Sequence, residues 1–402
     1  MKGDHMPNSK YLASTPESVG IDSEKLEAVF DRAEKEVKEG LLPSVQVAVA
    51  RNGQLAGMRT FGSALFEGTE KPATDDTLYC VFSCTKAVTS AAAWILIEEG
   101  KLSLDEIVAD IIPEFASNGK DIVTVEQLFT HTAGFPTAPF YPPAFYDLDA
   151  RAKTFAKWRL SYEPGSRFIY HPSSSMYVVA DIIERRSGMR YDDFIRQRVA
   201  LPLGLESLWV GLPEAEHHRL ADITHVGAEL TDADYERMGL PAPPVTEVTE
   251  ANIQKFNRAD HRVAGIPGGG GTMTAADLAL FYQALLNGGR AFEGEAVLKP
   301  ETIAMAREIR SHDLTDIVFQ KHANRALGLI IAGDKARNYR GFGHTNSALA
   351  FGHGGAGGQI GWGDPETGIS IGYCTNGYDR DAIRSSRRGI GISSRAASCA
   401  LP

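Results

Sequence analysis

The stretch Cys80-Val-Phe-Ser-Cys-Thr-Lys-Ala-Val-Thr-Ser-Ala-Ala-Ala-Trp-Ile-Leu-Ile-Glu-Glu-Gly100 constrains this chain more than any other. From Thr85 to Glu98 it is mostly helix-forming or apolar and lacks proline, and Gly100 stands just past the end. A buried helix from Ser83 to Glu99 is predicted, with Ser83 and Lys86 in its first turn. Residues three apart share a helix face, so the Lys86 amine can lie beside the Ser83 hydroxyl. A serine hydroxyl is a weak nucleophile until its proton is taken. A lysine takes that proton only where burial and the positive helix N-terminus favour the neutral amine. The N-H groups left unpaired at the same terminus make the Ser83 N-H a candidate oxyanion donor.

Ser-x-x-Lys alone is weak, because two common residues recur at this spacing by chance. Ser117-Asn-Gly-Lys120 repeats it, but Asn-Gly reads as a turn, no apolar helix follows, and a surface loop is expected there. Ser83 by itself fits a helix N-cap serine as well as a nucleophile.

At 402 residues the chain makes one large domain or two closely joined ones. Its net charge of -10, from 41 basic and 51 acidic residues, leaves no basic footprint, so nucleic acid is not an expected partner. Cys80, Cys84, Cys374 and Cys399 show no metal-ligand spacing and no secreted disulfide framework, so free buried thiols are expected. The N-terminus lacks the apolar core of a signal peptide and no stretch is long and apolar enough to span a membrane. A cytoplasmic protein with no membrane partner is expected, its oligomeric state unspecified.

Asp22 can cap a helix placing Leu26, Val29, Phe30, Ala33 and Val37 on one face, with Gly40 as its stop. The period then changes: Ser44 to Ala50 is continuously apolar or alternating, Asn52-Gly53 is a hairpin turn, and Gln54 to Phe61 returns as the partner strand. Helices are predicted from Met176 to Arg186 and from Tyr191 onward, with no strand pair between about 85 and 260 and an exposed loop at Pro136 to Pro143. Pro267-Gly-Gly-Gly-Gly271 reads as a tight turn near the cleft. A helix from Ala275 to Asn287 follows, with Thr274 as N-cap and Asp277 as its capping-box partner. Gly355 to Gly363 and Ile369 to Thr375 read as strands, followed by a helix near Asp381 to Ala397. The fold class expected is α+β, an antiparallel sheet flanked by helices with a mostly helical second domain inserted. Residues 1–80 and 265–402 would form the sheet domain and 81–264 the helical one, with the active site between them.

Two segments suit the chemistry begun at Ser83. Pro164-Gly-Ser-Arg-Phe-Ile-Tyr170 places a tyrosine before a loop and helix, and a neighbouring ammonium favours phenolate, which can shuttle protons. Phe351-Gly-His353-Gly354-Gly355-Ala356-Gly-Gly-Gln-Ile360 is dense enough in glycine for a substrate to approach the backbone, with Ala356 N-H as second oxyanion donor and His353 at the rim. A core tyrosine and a plain glycine turn are the ordinary readings of these residues taken singly.

Six stretches, in this order, carry a resemblance: Ser83-Cys-Thr-Lys86, Glu99-Gly-Lys-Leu-Ser-Leu-Asp105, Leu128-Phe-Thr-His-Thr-Ala-Gly134, Pro164 to Tyr170, Pro267 to Gly271, and His353-Gly-Gly355. The chain resembles the serine β-lactamase-like superfamily, with the class C β-lactamase fold, and within it the family VIII carboxylesterases. The resemblance implies that Ser83 is acylated, Lys86 accepts its proton, and Tyr170 is the partner base, with the division of the base role between the two left open. Two departures stand out. Pro172 replaces the asparagine of the family's Tyr-x-Asn, and His353-Gly354-Gly355 replaces the Lys-Thr-Gly that grips a β-lactam carboxylate. Hydrolysis of short-chain carboxylic esters through an acyl-enzyme is therefore expected, with a small-molecule ester as partner, His353, Gly354 and Gly355 binding it, and no metal or organic cofactor. The alternatives are a β-lactamase or DD-peptidase acting on amides, an acyltransferase on the same machinery, or a catalytically silent binding module.

Gly368-Ile-Ser370-Ile-Gly372 matches the Gly-x-Ser-x-Gly elbow of α/β-hydrolases, but that elbow needs a strand, a sharp turn and a helix. Ser370 reads as mid-strand. His131 is expected to be a structural hydrogen-bonding residue.

Overall fold

A computed structural model describes residues 9–239 and 248–401. The extreme N-terminus and part of the loop between Leu212 and Asn257 lie outside these residues.

The N-terminal pattern folds as its periods dictate. Helix α1 (Ser23–Lys38) is capped by the Asp22 carboxylate and buries Leu26, Val29, Phe30 and Ala33. Strands β1 (Ser44–Arg51) and β2 (Gln54–Phe66) pair across Asn52 and Gly53, both at positive φ as a tight hairpin requires. β2 runs five residues beyond the predicted Phe61 and pairs with β3 (Thr69–Pro72), an exposed polar strand without an apolar signal. β1 then pairs antiparallel with a strand more than 300 residues away, Val45 opposite Thr375, which closes the N- and C-terminal parts into one sheet.

That sheet has seven strands in the order β4-β5-β6-β7-β1-β2-β3, where β4 is Ile330–Ile331, β5 Phe351–Gly354, β6 Ile360–Asp364 and β7 Ile369–Thr375. Every pairing in it is antiparallel. The glycine-rich segment differs from its expected form: residues 355–359 turn, and the strand begins only at Ile360. The turn is closed by hydrogen bonds from Gly355 N to Gln359 O and from Gly357 N to Gln359 Oε1. A Cβ on Gly355 would stand 2.5 Å from the Val81 carbonyl, so glycine lets this turn press against the segment entering Ser83.

Both faces of β1 are buried. Val45, Val47 and Val49 join the core shared with α1 and the C-terminal helix α5 (Ala382–Ala397), while Ala48 and Ala50 join the core of the helical side. Arg388 of α5 ties that first face together, bonding Glu36 of α1 at 2.6 Å and Asp379 at 2.8 Å. On the other face α4 (Ala275–Leu286), capped by Thr274 accepting from Asp277 N, packs so closely that a Cβ on Gly372 would meet the Ala275 carbonyl at 2.0 Å.

Helix α2 (Thr85–Glu98) is buried nearly all round, as its apolar sequence requires, and packs against α3 (Ser174–Ser187), which ends at Gly188 in the left-handed region. The region from 85 to 260 does contain strands. Trp209–Val210 pairs with Gly271–Met273, and Thr224–Val226 pairs in parallel with Gly377–Asp379. Each is two or three residues long with its partner outside the region, so no local alternation marks it. Among the described residues no helix is long and apolar enough to cross a membrane, and all four cysteines are free and buried.

Candidate active site

Ser83, the predicted first residue of the helix, instead lies two residues before α2, in the 3₁₀ turn Phe82–Cys84 that runs straight into it. Phe82 has φ +44, a strained value for a residue with a side chain. Burial of its ring against Phe256 and Tyr378 holds it there. Two bonds brace the turn: Val81 N donates to Gly271 O, and Gly271 N donates to Thr85 Oγ1. The tetraglycine segment is thus a clamp on the start of α2 and lies at the cleft, as expected.

Lys86 is fully buried and its amine donates to Ser83 Oγ at 3.2 Å, Pro172 O at 2.7 Å and Gly268 O at 2.7 Å. Those are three acceptors for three ammonium protons. Tyr170 Oη donates to Ser83 Oγ at 2.9 Å. The structure therefore brings Ser83, Lys86 and Tyr170 together from segments 87 residues apart. Pro172, where an asparagine amide was the family pattern, contributes its carbonyl to the lysine instead.

Ser83 opens into a cavity of about 690 Å³ whose walls include Phe82, Phe140, Trp158, Tyr177 and Phe256, and Ala356 also lines it. Phe140 stacks on Tyr177 at 4.4 Å, so the proline-rich run expected as a plain exposed loop is in part a cavity wall. Gly354 and Gly355 face a different cleft, more polar and about 830 Å³, together with His225, Asp379 and Arg380; Ala356 borders both.

His353 corrects an expectation. It is buried rather than at the rim, because β5 turns its ring inward toward Tyr170, with centroids 6.1 Å apart. Its Nδ1 bonds the Gly354 carbonyl, and burial, then the Arg325 and Lys86 charges, hold its pKa well below that of an ordinary histidine. His131 is buried at φ +59, accepts from His171 N through Nδ1, and lies 4.6 Å from the Tyr170 ring. Its structural role is as expected. Ser370 is mid-strand in β7 and donates to Ala279 O at 2.7 Å, so the elbow motif is a coincidence of spelling. Lys120 is not part of a surface loop: its amine is fully buried, donating to Ser117 O at 2.5 Å and Trp158 O at 2.7 Å.

One neighbour carried no sequence signal. The Arg325 guanidinium lies over the Tyr170 ring at 5.2 Å and over Phe168 at 5.1 Å. A single arginine between β-sheet segments has no motif to mark it.

The Beta-lactamase family model matches residues 30–390, and the chain belongs to that family. Among solved structures, a novel penicillin-binding protein homolog from Caulobacter crescentus is similar with a TM-score of 0.77 at 29% identity, covering 94% of this chain and 99% of that one. A family VIII carboxylesterase is similar with a TM-score of 0.76 at 28% identity and the same coverage. Esterase EstB of Burkholderia gladioli is 31% identical over 222 residues, which span 50% of this chain and 55% of that protein. The α+β class with an antiparallel sheet and the family resemblance are both borne out.

Proposed function

We propose that this chain is a serine carboxylesterase that cleaves short-chain carboxylic esters through an acyl-enzyme. The observation that carries the reading is one hydroxyl, Ser83 Oγ, within reach of both the Lys86 amine and the Tyr170 phenol at the head of an aromatic-walled cavity. Lys86 already spends three donors on acceptors, so Tyr170, in contact with Ser83 Oγ, is assigned the role of proton acceptor, which it takes once its own hydroxyl proton has left. The sequence left that division between Lys86 and Tyr170 open. Ser83 Oγ bonds to the ester carbonyl carbon as its proton passes to Tyr170, and the Ser83 and Ala356 N-H groups receive the oxyanion. Collapse of the tetrahedral intermediate breaks the carbon-oxygen bond, and Tyr170 returns the proton to the departing alcohol. Water, deprotonated by the same tyrosine, then adds to the acyl carbon; the bond from that carbon to Ser83 Oγ breaks, Ser83 takes the proton back from Tyr170, and the acid leaves.

Esters are favoured over β-lactams because the third-motif position is a buried, neutral His353 that offers no cation to a substrate carboxylate. The cavity lies in the size range, about 300–1,000 Å³, of drug-sized ligands, so the apolar remainder of the ester has room. The EstB and family VIII likenesses support the ester reading. Hydrolysis of p-nitrophenyl esters of increasing acyl length, beside nitrocefin, tests it. Cleavage of the acetyl and butyryl esters is expected; nitrocefin as the better substrate would overturn the ester preference.

A further inference from the structure

A guanidinium taken out of water without a carboxylate is costly, and its surroundings should contain something that uses the charge. Arg325 is in part such a group: the residue is half-buried. Its Nε and Nη1 are shielded from solvent and have no hydrogen-bond partner among the described residues. Only its backbone is anchored, the N-H donating to Ser311 Oγ and the carbonyl accepting from Arg310 N. Shielded atoms are closed to a ligand, which argues against a carboxylate-binding role for them. What the guanidinium does face is the Tyr170 ring at 5.2 Å, and the Lys86 amine faces that ring at 5.1 Å. The other titratable neighbours of this ring are His131 and His353, both buried and both held well below the ordinary histidine pKa, so neither adds a charge near neutrality. Asp316 and Arg340 act on Arg325 from farther out with opposite signs.

We propose that Arg325 is a positioning residue for catalysis, a second fixed cation that, with Lys86, holds Tyr170 as the phenolate that takes the Ser83 proton. This rests on the acyl-enzyme reading above and adds the source of the tyrosine's basicity. Arginine suits the role because it stays charged when buried and its planar group stacks on aromatic rings.

The test is the rate at which a fluorophosphonate labels Ser83 as a function of pH. In that step Ser83 Oγ bonds to phosphorus, fluoride leaves, and the serine proton goes to Tyr170, so the readout needs no particular ester. In Arg325→Met and Arg325→Gln the ascending limb of the profile should move up by about one pH unit, and labelling at neutral pH should fall about tenfold. Arg325→Lys should stay nearer the parent. A purely structural role would lower the melting temperature and leave the limb in place. An unmoved limb in a folded neutral variant overturns the proposal, as does failure of both neutral variants to fold. Parent enzyme that is not labelled, or Ser83→Ala that is, overturns the nucleophile assignment itself. Labelling of Ser83 without ester hydrolysis overturns only the ester preference.

Discussion

The chain carries two Ser-x-x-Lys segments, and in both the lysine amine reaches the serine hydroxyl, at 3.2 Å for Lys86 and 3.1 Å for Lys120. Both amines are fully buried, and each also donates to two backbone carbonyls. The difference lies in where the serine's proton goes. Ser117 Oγ donates to the Ala156 carbonyl at 2.6 Å, so its proton is committed to an acceptor that cannot keep it. Ser83 Oγ instead meets a phenol at 2.9 Å and borders a cavity. Even a perturbed lysine does not discriminate, since burial, followed by the Arg159 charge, pulls Lys120 down to about 8. A serine beside a buried lysine is a common way to satisfy an amine. It becomes a candidate nucleophile when a second base and a space for substrate converge on it.

The largest expected effect separates the two serines. Ser83→Ala should lower kcat/KM for p-nitrophenyl butyrate by at least about 10³-fold, whereas Ser117→Ala should leave it within about twofold. Equal losses would erase the distinction. Next comes the tyrosine that only one segment has: Tyr170→Phe should cost about 10²–10⁴-fold in kcat with little change in KM. A KM effect alone would make Tyr170 a binding group.

The Ser83 segment is also backed by buried histidines. His171 donates from Nδ1 to Ile169 O, accepts from Phe135 N, and is lowered by burial to about 4. Its folded pKa lies below the ordinary value, so the unfolded chain takes up the proton first. Stability is full above about 6.5 and falls as the pH drops toward 4, by a total of about 3 kcal/mol from this residue. His131 and His353, shifted the same way, add to the fall. Urea unfolding at pH 7 and pH 4.5 measures it, and His171→Gln should flatten the dependence. An unchanged slope in that variant would assign the acid sensitivity elsewhere.

Smaller effects sharpen the structural side. Lys120→Met should cost about 1–3 kcal/mol of stability, through loss of the charged amine's bonds to the Ser117 and Trp158 carbonyls, and leave kcat/KM intact. Ser370→Ala, whose hydroxyl donates to a carbonyl as that of Ser117 does, should cost only about 1 kcal/mol and no activity. Loss of activity in either folded variant would reopen its dismissal.

Much of this was legible locally. The apolar run of α2, the Asp22 and Thr274 caps, the Asn52-Gly53 hairpin and the glycine stop after α3 are short-range signals, and each element formed within a few residues of its expected bounds. Boundaries moved where a tertiary contact overrode propensity. Ser83 lies in a 3₁₀ turn because Phe82 is buried at positive φ. Residues 355–359 turn rather than extend because Gln359 gathers their N-H groups.

By itself the sequence determined the antiparallel α+β class, the Ser83 and Lys86 pairing on one helical turn, and the candidacy of Tyr170, because periodicity and three-residue spacing act over distances that the backbone geometry sets. The tertiary structure alone decided which Ser-x-x-Lys faces a second base, that His353 turns inward, and that Arg325 stands over Tyr170 with its Nε and Nη1 unpaired among the described residues. Those outcomes depend on segments roughly 90 to 270 residues apart meeting in one place. Burial and charge, which turn a serine, a lysine and a tyrosine into a site, exist only once they meet.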